Sequence, residues 1–266
     1  MINLYFQVMT KLLRNSSISD LIANTLTATA WRFRFINSQV KLYKEAWFTP
    51  TFHELVLEIA NLPPSKMPTR KMLAGLLTGW GNNHFAANLD YLEEVAKQAA
   101  KTPGPILECG SGLTTILLGL LAGRRGVEIW SLEHIPEWYT RVNTVLERYQ
   151  ISGVNLYLSP LQDFGGFCWY NPPFTSLPNN FRLVICDGPP SNQTPGGRYG
   201  LLPVLGQHLC DDALILLDDA NREEEAEVLR RWTTESKVSV LLQEFSFGSF
   251  ALVTYPSRVN EVEVNQ

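Results

Sequence analysis

Residues 106–115 read ILECGSGLTT. A short apolar run enters an acid, then Gly110-Ser111-Gly112, then a run with helical spacing, so the segment predicts strand, glycine turn and helix (Leu113 to Ala122). The same alternation continues outward in both directions. An amphipathic helix from His84 to Ala100 comes before the turn and stops at Thr102-Pro103-Gly104-Pro105. A strand from Val127 to Leu132 follows it, then a helix from Pro136 to Tyr149 with proline at its start. Further strands are expected at Val154–Leu158, at Leu183–Cys186 (LVIC) and at Ala213–Leu217 (ALILL), with helices at Leu201–Leu209 and Arg222–Thr233. LVIC is continuously apolar, as parallel strands are when helices cover both faces of the sheet. The chain closes on Val238–Phe245 and Ser249–Tyr255, joined by Ser246-Phe247-Gly248, which is a hairpin signal. Strand–helix alternation predicts a parallel sheet with right-handed crossovers, here ending in an antiparallel pair.

Residues 1–83 have another texture. Leu21, Ile22, Leu26, Trp31, Phe33 and Phe35 fall at helix-like spacing, with breakers at Thr49-Pro50 and Pro63-Pro64. A helical segment of residues 1–83 in front of an α/β domain of residues 84–266 is the expected division. NLYFQ at 3–7 has the form of a protease-cleavage tag, which would put the natural start at Met9, and no structural weight rests on it.

Composition excludes several classes. With 45% hydrophobic and 18% charged residues, the 266-residue chain is an ordinary globular protein, and its net charge of -4 gives no pointer to a nucleic-acid partner. The charge is uneven: residues 1–105 hold 11 Lys and Arg against 7 Asp and Glu, and the remainder 11 against 19. No apolar run reaches the roughly 18 residues of a membrane span, and no signal peptide is visible. Cys109, Cys168, Cys186 and Cys210 show no paired spacing, so a reducing, cytoplasmic setting is expected.

Which ligand suits the turn is decided by two acids. Dinucleotide sites use G-x-G-x-x-G so that a pyrophosphate can lie on bare backbone. In this chain Thr115 holds the third glycine place, and Glu108 would face the phosphates with like charge. A carboxylate there suits a phosphate-free ligand that carries positive charge. S-adenosylmethionine, with its ammonium and cationic sulfur, has that chemistry. Glu133 stands at the end of the second strand, 21 residues after Gly112, where a carboxylate grips both hydroxyls of a ribose.

With these features in register, residues 84–256 resemble the class I S-adenosylmethionine-dependent methyltransferases. ILECGSG matches that family's first motif, SLEHIPEW the acidic end of its second strand, and VSVLLQEF with SFALVTY its terminal hairpin. The resemblance implies a Rossmann-like three-layer α/β/α sandwich around a mostly parallel seven-stranded sheet. It also implies transfer of a methyl group to a small-molecule acceptor, to oxygen in preference to nitrogen. Glu108, Gly110, Ser111 and Gly112 would hold the methionine end of the cofactor and Glu133 the ribose, with His134 lining the adenosine pocket. Asp163, in SPLQDF, would sit near the adenine. Asp187, after the fourth strand, would lie beside the methyl donor and, with Asp219, face the acceptor as base or orienting group. The N-terminal helices would serve as lid, acceptor wall or homodimer contact.

Some relatives of this kind hold Mg²⁺ with an Asp after the fourth strand and an Asp-Asn pair after the fifth. Ala220 takes the Asn place here, with Asn221 one residue late, and that departure puts Mg²⁺ in doubt. NPPF at 171–174 resembles the signature of amino-group methyltransferases. It comes too soon after the third strand to allow a crossover of about a dozen residues, so it is read as a loop or small insertion whose aromatic surroundings form a substrate wall. Arg198 and Tyr199, in a glycine-rich loop, are read as exposed residues available to clamp an acidic substrate. REEEAEVLRRW is read as a solvated helix face, and His84 as a surface histidine. Three alternatives stay open: an aminopropyltransferase, an NAD-dependent oxidoreductase, and a catalytically silent cofactor-binding subunit.

Overall fold

The computed structural model describes residues 51–63, 65–81, 87–245 and 248–257. NLYFQ, the helix-like spacing of residues 21–35, His84 and the Ser246-Phe247 turn lie outside them. Helices α1 (Phe52–Ala60) and α2 (Arg70–Trp80) open the described chain, and each carries a threonine N-cap, Thr51 and Thr69. Next come α3 (Leu89–Lys101), β1 (Ile106–Cys109), α4 (Leu113–Leu121), β2 (Ile129–Glu133), α5 (Pro136–Arg148) and β3 (Val154–Leu158). A small hairpin of β4 (Leu161–Asp163) and β5 (Cys168–Tyr170) separates β3 from β6 (Phe181–Cys186). The chain continues through α6 (Leu201–Leu205), β7 (Leu209–Asp218), α7 (Glu223–Ser236), β8 (Ser239–Phe245) and β9 (Gly248–Thr254).

Seven strands form one sheet in the order β3-β2-β1-β6-β7-β9-β8. Pairing is parallel from β3 through β7, and β9 runs antiparallel to both β7 and β8. Alternating side chains divide the core between two layers. Leu107, Cys109, Val184, Cys186, Ile215 and Leu217 pack with residues of α6, α7 and β5 such as Trp169, Leu205 and Trp232. The opposite face is covered by α3, α4 and α5, and α1 and α2 pack on α4. The three-layer architecture and terminal hairpin are those expected. Among the described residues, no helix is long and apolar enough to cross a membrane.

Two segments differ from expectation. Leu201–Leu209 is not one helix: α6 ends at Leu205, a 3-10 turn covers Gly206–His208, and β7 already starts at Leu209. β7 therefore runs four residues ahead of Ala213. The polar run Cys210-Asp211-Asp212 concealed this part of the strand, because a bulge is present. The register against β6 shifts between Phe181 and Leu183, and Asp212 has φ +58°. NPPF follows β5 directly, in an insertion between β3 and β6, as expected.

β1 and β6 are neighbours in the sheet, yet their chains leave in opposite directions along it. Ligands of open α/β sheets bind at such a switch point, outside the carboxyl ends of the strands. Two glycines make the crossing possible. Gly110 has φ +92°, and a Cβ there would lie 3.0 Å from the Gly188 nitrogen. A Cβ on Gly188 would meet the Tyr170 hydroxyl at 2.5 Å and the Gly110 Cα at 3.1 Å.

Candidate active site at the ends of β1, β2, β6 and β7

Glu108 is fully buried on the face of β1 that α4 covers. Its Oε2 accepts hydrogen bonds from Thr115 Oγ1 and Ser131 Oγ, both at 2.6 Å. Oε1 is buried and has no hydrogen-bond partner among the described residues. Burial pushes the carboxyl up to about 7, against the pull of the surrounding hydroxyls. Thr115 gives the missing third glycine a reason. Its Oγ1 accepts from Gly112 N at 2.8 Å while its hydroxyl donates to Glu108, so one side chain caps the α4 start and neutralises half of the acid's demand. Thr115→Val keeps the shape but leaves the Gly112 N–H without its partner and one donor fewer on Glu108. Chemical denaturation should then show a loss of about 1–3 kcal/mol, and an unchanged midpoint would remove the relay.

Glu133 ends β2 at 3% exposure, and both carboxylate oxygens are engaged. Oε2 accepts from Ser111 N at 3.0 Å and Ser111 Oγ at 2.8 Å. Oε1 accepts from His134 N at 2.7 Å and Ile135 N at 2.9 Å, and His134 Nδ1 lies 3.3 Å away. Burial opposes ionisation here too, but these donors outweigh it and hold the carboxyl below its usual value. Glu133 thus stitches the glycine turn to the β2 end. Trp138 closes the turn from α5 by donating its indole N–H to the Ser111 carbonyl. His134 and Tyr170 meet edge to face at 5.7 Å, and the Tyr170 hydroxyl and Ser159 Oγ are buried without partners among the described residues.

Asp163 is exposed, and its Oδ1 accepts from Gly165 N at 2.8 Å. It shapes the tip of the β4–β5 hairpin, away from the two acids of the glycine turn in the hydrogen-bond network. Gly112 leaves the turn open on one side: among the described residues, a Cβ there would find only Trp138 within 4 Å, at 3.8 Å.

A third group of acids surrounds Arg198. This residue is 2% exposed, contrary to the reading of its loop as solvent-facing. Its Nη2 donates to Asp187 Oδ1 at 2.9 Å, to the Asp187 carbonyl at 3.2 Å and to Asp219 Oδ2 at 3.2 Å. Nη1 donates to the Asp218 carbonyl at 2.5 Å and lies 3.5 Å from Glu225 Oε1. Glu225 belongs to the acid-rich run read as solvated, yet α7 turns it inward to 1% exposure. Asp219 takes φ +56°, which ends β7 and turns its carboxylate towards Arg198 and Arg222. Burial pushes Asp187 up to about 7 while Arg198 pulls it down, and burial with the neighbouring carboxylates holds Asp218 well above the usual range.

The structure brings Glu108, Gly110, Ser111, Gly112, Glu133 and His134 together at one turn, and Asp187 with Asp219 across the switch point. Sequence reasoning missed Thr115, Ser131, Tyr170, Asp218 and Glu225. Ser131 pairs with Glu108 in the parallel register, a signal available once β1 and β2 are set side by side. Asp187, Asp218 and Asp219 each offer an oxygen within 4.8 Å of the others, the spacing of a metal site. The donors do not fit one: an Arg198 nitrogen already bridges Asp187 and Asp219.

No protein-family model matches the sequence, and no curated protein matches it. Among solved structures, the SAH-bound methyltransferase PaMTH1 of Podospora anserina is similar at a TM-score of 0.52 and 14% identity, with 84% of this chain and 96% of that one covered. The precorrin-6y C5,15-methyltransferase of Geobacter metallireducens GS-15 gives 0.48 and 12% over 66% and 92% of the two chains. The ribosomal protein L11 methylase of Lactobacillus delbrueckii subsp. bulgaricus gives 0.46 and 13% over 64% and 80%. The likeness to PaMTH1 shows that this chain shares its Rossmann-like α/β fold.

Proposed function

We propose that the protein is an S-adenosylmethionine-dependent methyltransferase acting on a small molecule. The observation that carries this reading is the pairing of two buried carboxylates with one glycine turn at the switch point. Glu108 lies beneath the turn with Oε1 unpartnered, and Glu133 is hydrogen-bonded through it. An anionic turn of this kind repels a pyrophosphate and attracts an ammonium. The cradle fits the cofactor on those grounds: an orphaned buried oxygen for a cationic group, and a glycine backbone that no Cβ obstructs.

When bound, S-adenosylmethionine supplies an electrophilic methyl group on a cationic sulfur. The chain supplies the rest. Glu108, ionised, would hold the cationic end, and Gly110, Ser111 and Gly112 would offer backbone. Glu133 would accept from the ribose hydroxyls as Ser111 Oγ gives up its place. Asp187, poised at about 7, is suited to take a proton from an acceptor hydroxyl near neutral pH, with Asp219 orienting the same region. That acceptor is neutral or cationic in this reading. The partly exposed carboxylates at the strand ends, Asp187 and Asp219, disfavour an anionic acceptor. Oxygen is the preferred target and residues 84–266 are the catalytic domain. Cys109 and Cys186 are free and paired in register, in keeping with a reducing, cytoplasmic setting.

Calorimetric titration with S-adenosylmethionine, S-adenosylhomocysteine and NAD tests the reading. Saturable heat from both adenosyl compounds and none from NAD is expected. NAD binding with no response to the adenosyl compounds would sink it. Binding without turnover across a panel of hydroxyl and amine acceptors would favour a silent cofactor-binding subunit.

A further inference from the structure

We propose that Arg198 is the resident cation of this site: its guanidinium bridges Asp187 and Asp219, two of the three clustered carboxylates, in the place of a divalent ion, and the protein works without a metal. Three carboxylates whose oxygens lie within 4.8 Å of one another would, in isolation, recruit a hard cation. Here a single guanidinium nitrogen bonds Asp187 Oδ1 at 2.9 Å and Asp219 Oδ2 at 3.2 Å, taking the position between them. The other terminal nitrogen reaches the Asp218 carbonyl and faces Glu225. Both oxygens of Glu225 are buried without hydrogen bonds among the described residues, so this carboxylate relies on Arg198 for compensation.

The loop is built to place that side chain inside. Gly196 has φ +76° and Gly197 φ +48°, and a Cβ on Gly197 would overlap Ser191. A Cβ on Gly200 would overlap Trp169. These glycines let the 3-10 turn Gly197–Gly200 press against the β5 hairpin and aim Arg198 at the strand ends. The turn is then pinned from α7: Trp232 Nε1 donates to the Tyr199 carbonyl at 2.9 Å, and the Tyr199 hydroxyl donates to Glu235 at 2.5 Å. Arginine suits the position because its planar fork offers several fixed donors and keeps its charge when buried. A divalent ion would have to displace that charge or sit against it.

The consequence concerns the wild-type chain directly and does not depend on which cofactor binds. Mn²⁺ titration followed by electron paramagnetic resonance should show no stoichiometric site below millimolar concentration, and neither Mg²⁺ nor Mn²⁺ should raise the thermal midpoint. A wild-type site that binds one Mn²⁺ tightly, and is lost in Asp187→Asn, would overturn the proposal. Arg198→Met empties the position. It should bind one Mn²⁺ at least about 100-fold more tightly than wild type, with a midpoint that rises with Mn²⁺, and Asp218→Asn in that background should abolish both. A folded Arg198→Met that ignores Mn²⁺ would count against the placement. If that variant does not fold even with Mn²⁺, the wild-type titration and Arg198→Lys, which keeps a cation and should also refuse Mn²⁺, decide the matter. Failure of the methyltransferase reading would show in the adenosyl titration and leave these Mn²⁺ results unchanged.

Discussion

Glu108→Gln becomes more stable relative to wild type as pH rises, and at the same time binds S-adenosylmethionine more weakly. The sign follows from burial. Burial pushes the carboxyl to about 7 in the folded chain, against its ordinary value of 4.5 when unfolded. Its contribution to stability is therefore fully present below pH 4.5 and lost as pH rises through 7. Glutamine keeps the shape and does not ionise. Between pH 4.5 and pH 8 the stability difference should move about 3 kcal/mol in favour of Gln, or roughly 6–12 °C in midpoint. Binding should move the other way: loss of the charge facing a cationic group should cost about 1.5–3 kcal/mol, roughly a tenfold to hundredfold loss of affinity. Melting curves across pH, with calorimetry at pH 8, read both. Parallel pH curves for the two proteins would show that Glu108 is not held protonated by burial. Unchanged affinity would remove it from the cofactor site.

Glu133→Ala should do the opposite at the adjacent strand end. Wild-type Glu133 accepts from four donors, and its removal leaves the Ser111, His134 and Ile135 N–H groups without their carboxylate. A stability loss of about 3–5 kcal/mol at pH 7 is expected. Because the folded carboxyl is held below 4.5, its stabilisation is present above the unfolded value and fades as pH falls through the folded one. The gap between mutant and wild type should therefore narrow in acid. Affinity of the folded fraction for S-adenosylmethionine should drop by about 1.5–3 kcal/mol. A mutant that melts with wild type at pH 7 would contradict the stitching of the turn, and a destabilised mutant with intact affinity would remove the ribose role alone.

Two acids of like chemistry thus carry opposite pH signatures, and the difference lies in their donors. Glu108 has only hydroxyl donors around it, those of Ser131, Thr114 and Thr115, so burial prevails. Glu133 has three backbone N–H groups and a hydroxyl, so hydrogen bonding prevails. Both residues were legible as candidates because strand, turn and helix periodicity places them next to the glycine turn. Their protonation was not legible, since Thr115 and Ser131 look like ordinary helix and strand residues until the strands are paired.

The amino-acid sequence by itself determined the order of strands and helices, the glycine turn and the terminal hairpin, because each rests on local periodicity and backbone freedom. It failed locally at Cys210–Asp212, where a bulge lets a polar run continue a buried strand. Only the tertiary structure decided which charges share a space. Asp187, Arg198, Asp219 and Glu225 come from a strand end, a loop, a strand terminus and a helix, and meet because β6 and β7 are parallel neighbours with their crossover folded back over the carboxyl ends. Electrostatic energy depends on distance and burial rather than on spacing along the chain. For that reason an arginine that reads as an exposed loop residue becomes the buried cation around which three acids gather.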